Sequence, residues 1–143
     1  MAAPRRGLLL RSAWVLHRFT YRLTGGRLGS RAAGLPVLEL TTRGRTSGDP
    51  RSVLLNFQPH ELGWVVVASN AGHNRHPAWW LNLRASPLGR VRVRRSVEDV
   101  KARELEGAER EEQWRRMVAA NHDYAEYEAR TVRSIPVVLL ERA

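Results

Sequence analysis

One run, WVVVASNAGHNRHPAWWLNL (Trp64–Leu83), limits the folds open to this chain more than any other. Trp64, Val65, Val66 and Val67 are consecutive strand formers without a polar interruption, the pattern of a strand buried on both faces. Ala68, Ser69, Asn70, Ala71 and Gly72 then form a small-residue turn, where a flat ligand can approach backbone N–H donors. Pro77 suits the first turn of a helix because its missing donor costs nothing there. That helix carries Trp79, Trp80 and Asn82 to the end of the strand. Spacing leaves two readings open, a planar-ligand site and an ordinary aromatic core.

The rest of the chain must supply one domain's core, since 143 residues suit one domain better than two. Without cysteine, disulfides, thiolate catalysis and thiolate metal sites are excluded. His73 and His76 stand three apart with no carboxylate close in sequence, a poor metal site, so no metal is expected. The net charge is +10, and Lys101 is the only lysine among 24 basic residues. Residues 1–51 carry ten arginines against Glu39 and Asp49. This asymmetry fits an anionic partner, whether a phosphorylated cofactor, a membrane surface or nucleic acid, and it equally fits a GC-rich coding bias. No stretch reaches the ~18 apolar residues of a membrane span, and Arg11 interrupts the signal-like start at Leu8. The expected location is cytoplasmic.

Residues 7–23 have helical periodicity, with Leu8, Leu9, Ser12, Val15, Leu16, Phe19 and Leu23 on one arc and Arg11, Arg18 and Arg22 beside it. Such a helix docks on its domain or lies on the inner face of an anionic plasma membrane. Residues 24–36 read as a loop. Val37–Thr42 and Arg51–Phe57 should form a hairpin around GRTSGDPR, Gly44–Arg51, whose arginine and hydroxyl donors could clamp a phosphate. Pro59–Gly63 reads as a turn, Pro77–Ala85 as a helix and Ser86–Gly89 as another turn. Arg90–Arg95 alternates with Val91 and Val93 inward, and Val97–Leu105 should pair with it. Gly107–Asn121 is a helix burying Trp114, Met117 and Val118. Asp123 is expected to cap a short helix placing Tyr124 and Tyr127 on one face, and Ile135–Glu141 closes as a buried strand. The sum is an α+β, mainly β architecture: about six mostly antiparallel strands in a small barrel with peripheral helices.

Three segments, LELTTRGRTSGDPR, VVVASNAGHNRHPAWWLNL and YAEYEARTVRSIPVVLLE, in that order, closely resemble the deazaflavin-dependent nitroreductase and quinone reductase family of actinobacteria. The resemblance runs from about Thr24 to Glu141. It implies a split β-barrel of the flavin-reductase type, with residues 1–30 as an N-terminal basic amphipathic helix and loop and 31–143 as the deazaflavin-binding domain. It implies coenzyme F-420, whose reduced form would give a hydride to a quinone, nitro compound or other activated acceptor. Arg45, Thr46, Ser47 and Arg51 would face the coenzyme's phosphate and acidic tail, while Ser52, Val53, Leu54, Leu55 and Asn56 line its path. Val67, Ala68, Ser69 and Asn70 would contact the deazaflavin or its linker, and Ala78, Trp79, Trp80, Leu81 and Asn82 would wall the site. Ser69 and Tyr124 would orient the reacting groups, and Tyr124 and Tyr127 would form the substrate side. The chain departs from the family pattern at Leu54 (usually proline), Asn56 (often aromatic) and Asn70 (commonly lysine).

Two rival readings remain at this point. One is an enzyme of the same fold using flavin mononucleotide. The other is a non-catalytic basic module binding membrane or nucleic acid through Arg90, Arg92, Arg94 and Arg95, whose affinity would collapse in salt; nucleic acid is the less expected partner. An exposed barrel edge would make a homodimer unsurprising.

Overall fold

The computed structural model describes residues 31–32 and 35–143. The helix expected over residues 7–23, and with it the 1–30 segment, lies outside them. The described chain runs β1 (Arg31–Ala32), β2 (Leu35–Arg43), β3 (Pro50–Asn56), β4 (Gln58–His60), β5 (Gly63–Val67), a 3₁₀ turn (Asn70–Gly72), α1 (Ala78–Ala85), β6 (Leu88–Val93), β7 (Ser96–Glu104), α2 (Gly107–Ala120), α3 (Asp123–Arg130) and β8 (Val137–Arg142).

Every strand pairing is antiparallel. The hydrogen-bonded path runs β3-β2-β6-β7-β8-β5-β4. Its two ends are one residue apart in the chain, because Phe57 alone separates β3 from β4. A single bent strand therefore pairs with β2 through Pro50–Asn56 and with β5 through Gln58–His60. That change of partner closes the sheet into a barrel, which leaves its interior no open edge there. Phe57 itself is buried, and its N–H donates to the Pro36 carbonyl at 3.1 Å.

Alternation along β5 divides the core in two. Trp64, Val66 and Ala68 point into the barrel with Leu38, Leu40, Val91, Val100, Val138 and Leu140, and Trp79, Trp80 and Leu83 of α1 belong to the same interior cluster. Val65 and Val67 point outward, where Trp114, Met117 and Tyr124 of α2 and α3 cover them together with Leu105, Ile135, Val137 and Leu139. All five residues of β5 are buried, as an uninterrupted apolar strand requires. At Gly63 a Cβ would collide with the Leu140 carbonyl oxygen of β8, so the start of this strand admits no side chain.

The barrel with peripheral helices is as the sequence indicates, with four differences. The loop expected over residues 24–36 holds β1 and the start of β2, which pair with each other. The turn expected at Pro59–Gly63 is shorter, because Gln58–His60 still pairs with β5. The turn expected at Ser86–Gly89 gives way at Leu88, where β6 already pairs with Lys101 of β7. Asp123 opens α3 without capping it; the Asn121 Oδ1 accepts the Asp123 N–H at 3.0 Å and does that work instead.

Candidate functional site

An open cavity of about 710 Å³ lies where α1 meets the β2–β3 turn and the segment between β5 and α1. Its size suits a cofactor-sized ligand. Thr42, Gly44, Arg45, Thr46, Ser47, Arg51, Ser52 and Val53 line it from the hairpin, and Asn70, Arg75, His76, Pro77, Ala78, Trp79 and Asn82 from the other side of the chain.

The hairpin wall is tightly tied. Gly44 and Gly48 are bonded across the turn, Gly44 N–H to the Asp49 carbonyl and Gly48 N–H to the Gly44 carbonyl, both at 2.8 Å. A Cβ at Gly44 would come within 2.9 Å of the Ser47 Oγ and 3.1 Å of the Asp49 carbonyl, so a side chain there would displace the Ser47 hydroxyl and crowd the turn. Asn82 of α1, buried to 3% exposure, anchors this wall to the barrel. Its Oδ1 accepts the Arg45 backbone N–H at 3.2 Å and the Arg45 Nη1 at 2.9 Å, while its Nδ2 donates to the Thr42 Oγ1 at 3.0 Å. One amide thus fixes both the path of the turn and the aim of its guanidinium.

The second wall, residues 68–77, is held from a distance. Asn70, Ala71 and Gly72 all have positive φ (47°, 53° and 81°), a left-handed run that costs a non-glycine residue about 1–2 kcal/mol. Asparagine tolerates this better than most residues, and the Asn70 Nδ2 donates to the Arg75 carbonyl across the turn at 3.0 Å. The clamp is Arg133, in the segment between α3 and β8. Its guanidinium donates to the carbonyls of Ala68 (3.0 Å), Ser69 (2.9 Å) and His73 (3.0 Å) and to the Nδ1 of His76 (3.2 Å). Nearby, the Asn74 Oδ1 accepts from the Thr131 hydroxyl and the Val132 N–H. Burial holds the Arg133 pKa below its ordinary value. Burial, then the charges of Arg133 and Arg84, hold His76 below the usual histidine range against a smaller opposing pull from Glu104.

Of the residues singled out from the sequence, Arg45, Thr46, Ser47, Arg51, Ser52, Val53, Asn70, Ala78, Trp79 and Asn82 come together on the cavity. The others are placed elsewhere. Leu54 is buried against Val37 in a small separate cluster. Leu55 packs on the interior core and the Asn56 Nδ2 donates to the Leu35 carbonyl at 3.3 Å. Ala68 and Trp80 belong to that interior, Val67 to the outer cluster, and neither Leu81 nor the buried Ser69 reaches the cavity lining. Tyr124 and Tyr127 stack edge to face with centroids 5.9 Å apart, as their spacing suggests, but within the outer cluster, across β5 from Trp79. The 68–77 segment packs directly on α3: a Cβ at Gly72 would stand 3.0 Å from the Tyr127 Cα. Burial raises both phenol pKa values, so neither ring gives up a proton readily.

Sequence reasoning does not put Thr42, His76 or Arg133 at the site, although all three stand inside the three quoted segments. Nothing near Arg133 in sequence shows that it folds back onto residues 68–76.

The donor set is right for an anionic, partly aromatic ligand: guanidinium and hydroxyl groups from Arg45, Thr46, Ser47 and Arg51, with the Trp79 indole on the same cavity. Comparison with known proteins gives this chemistry a context. The model of the F420H(2)-dependent quinone reductase family matches residues 14–142. The chain belongs to this family. A Mycobacterium tuberculosis (strain H37Rv) protein named as an F420H(2)-dependent quinone reductase is 34% identical over 131 residues, covering 89% of this chain and 88% of its own. A solved structure described as an F420-H2 dependent reductase is 41% identical, covers 74% of this chain and 94% of its own, and superposes with a TM-score of 0.68. Another, described as a domain-swapped dimer, is 37% identical, covers 92% and 99%, and has a TM-score of 0.70. The split-barrel architecture is thus shared with F420-dependent reductases.

Proposed function

We propose that this chain is an oxidoreductase that binds the reduced deazaflavin coenzyme F420H2 in the cavity and passes a hydride to a quinone, with nitro compounds and other activated acceptors as further substrates. The observation that carries the reading is the hairpin turn whose Arg45, Thr46, Ser47 and Arg51 line the same cavity as Trp79. Family membership supplies the cofactor, F420H2, whose charge and flat ring suit these donors and this indole. When bound, the deazaflavin supplies a hydride at its central ring carbon.

The chain's contribution is position. Arg45, aimed by Asn82, and Arg51, beside Ser47, would hold phosphate or carboxylate oxygens through charge-assisted bonds. Trp79 offers a flat apolar wall, and the closed barrel behind it keeps the site rigid. Hydride transfer requires the reacting atoms within about 3–3.5 Å, so a preformed wall serves it better than a mobile acid or base. Tyr124, buried and reluctant to ionise, packs edge to face on Tyr127, whose backbone meets Gly72 of the 68–77 segment. A homodimer belongs to the same reading, supported by the 37%-identical relative described as a domain-swapped dimer. Placement in the cytoplasm, with the 7–23 segment docked on the domain or resting on the membrane's inner face, also belongs to it; no helix among the described residues is long and apolar enough to cross a membrane.

The test is anaerobic. Purified protein is mixed with reduced coenzyme F-420 and menadione, and the return of the oxidised coenzyme's absorbance is followed. Turnover above the uncatalysed rate is expected. Absence of both turnover and fluorescence-detected binding would sink the deazaflavin reading and put flavin mononucleotide in its place, recognisable by the spectrum of bound flavin.

A further inference from the structure

His76 is a ring of the cavity wall whose protonation state is fixed by its neighbour. The Arg133 Nη1 lies 3.2 Å from the His76 Nδ1. Guanidinium has five donors and no acceptor, so the imidazole nitrogen facing it must present a lone pair. The neutral ring then carries its single proton on Nε2, at the opposite edge. Protonating Nδ1 would break that hydrogen bond and set two cations against each other. Nε2 has no partner among the described residues, while the ring lines the cavity with Arg75 and Pro77 on either side.

We infer that His76 is a further coenzyme-binding residue, held by Arg133 as the neutral Nε2–H tautomer so that Nε2–H donates to a phosphate oxygen of the coenzyme. The inference rests on the coenzyme reading above. It gives the second wall a direct contact to match the donors of the hairpin wall, and it makes Arg133 a positioning residue acting through His76. The charged groups around the ring favour the same state: Arg133 from the segment before β8 and Arg84 from α1 disfavour a second proton, and Glu104 at the end of β7 opposes them more weakly. A neutral donor binds phosphate with the same strength on either side of pH 6.5. A free histidine would bind it more tightly as it charged.

Two measurements decide the matter. Ring-nitrogen NMR of the full-length wild-type protein reads the tautomer directly: Nε2–H, with titration below the ordinary histidine range, is expected. An Nδ1–H tautomer or an ordinary titration would overturn the lock. In R133M the ring's titration should move up toward the ordinary histidine range, burial and Arg84 still holding it down, and oxidised-coenzyme affinity should acquire a pH dependence that wild type lacks.

The second measurement is fluorescence titration with oxidised coenzyme F-420 and with the same deazaflavin stripped of its phosphate. H76F should weaken the intact coenzyme roughly 10-fold and the phosphate-free form by less than about 2-fold, as expected for one lost hydrogen bond to a charged group. H76Q, which keeps an N–H near the Nε2 position, should recover part of the loss. Wild type and H76F binding the intact coenzyme equally would overturn the inference and leave the proposed function standing, as would equal losses for both ligands. A wild type that binds neither would remove the proposed function and the acceptor for Nε2–H with it, while the NMR result would still decide the lock.

Discussion

The two walls of the cavity are both loops, yet they are built in opposite ways. The hairpin wall, Gly44–Asp49, is local: its glycines close the turn on itself, and Asn82 fastens it to the barrel through Arg45 and Thr42. The 68–77 wall has a strained left-handed run at its centre and is held by Arg133 from the far end of the chain. A self-closing turn can be shaped by its own residues. A strained one needs something outside it to over-determine its path. The difference predicts that the hairpin wall fails gently and the second wall abruptly.

The sharpest way to break the comparison is R133M. It takes the guanidinium away from the carbonyls of Ala68, Ser69 and His73, of which Ser69 keeps the Gly72 N–H and His73 the longer contact from the Thr131 hydroxyl, and we expect a loss of about 3 kcal/mol in urea unfolding with the m-value unchanged. N82A should cost less, about 2 kcal/mol, because the turn keeps its own backbone bonds. N82D retains the acceptor for Arg45 and should recover coenzyme affinity by fluorescence titration, so the two Asn82 variants separate the anchoring of Arg45 from the packing of α1. If R133M proved no worse than N82A, the second wall would not depend on its clamp. A71G sharpens the point from the other side. Relieving one left-handed alanine should raise stability by about 1 kcal/mol in the same assay, and by more in the R133M background. The smallest effect belongs to Y124F. Its hydroxyl lies in the outer cluster across β5, so menadione turnover should stay within about twofold of wild type.

The same contrast explains what the sequence could say. Glycine, proline and valine patterns mark the hairpin, the β5 strand and the start of α1 because local conformation is local chemistry. Arg45, Thr46, Ser47, Arg51 and Trp79 were therefore legible as one site once a family pattern joined them. Asn82 was legible as a site residue but not as the anchor of Arg45, since no spacing rule links positions thirty-seven apart. Arg133 and the state of His76 were illegible for the same reason, made stronger by a separation of fifty-seven. The tyrosine pair shows the converse: helical spacing does place Tyr124 and Tyr127 on one face, but which side of the sheet that face meets is decided by the alternation of β5. Pro59 and His60 read as part of a turn because, with Gln58, they acquire strand character only by borrowing β5 as a partner.

The place of β8 between β7 and β5 also sets an order of assembly. Val67 pairs with Val137 and Trp64 with Leu140, so β5 must wait for a strand made long after it. Until then the β5 edge, all tryptophan and valine beyond Gly63, stands bare beside its short partner β4. Such long-range pairing is slow to form and leaves an apolar edge open to any matching strand. The pairing of β5 with β8, up to Gly63 with Glu141, thus spans more of the chain than any other in the sheet.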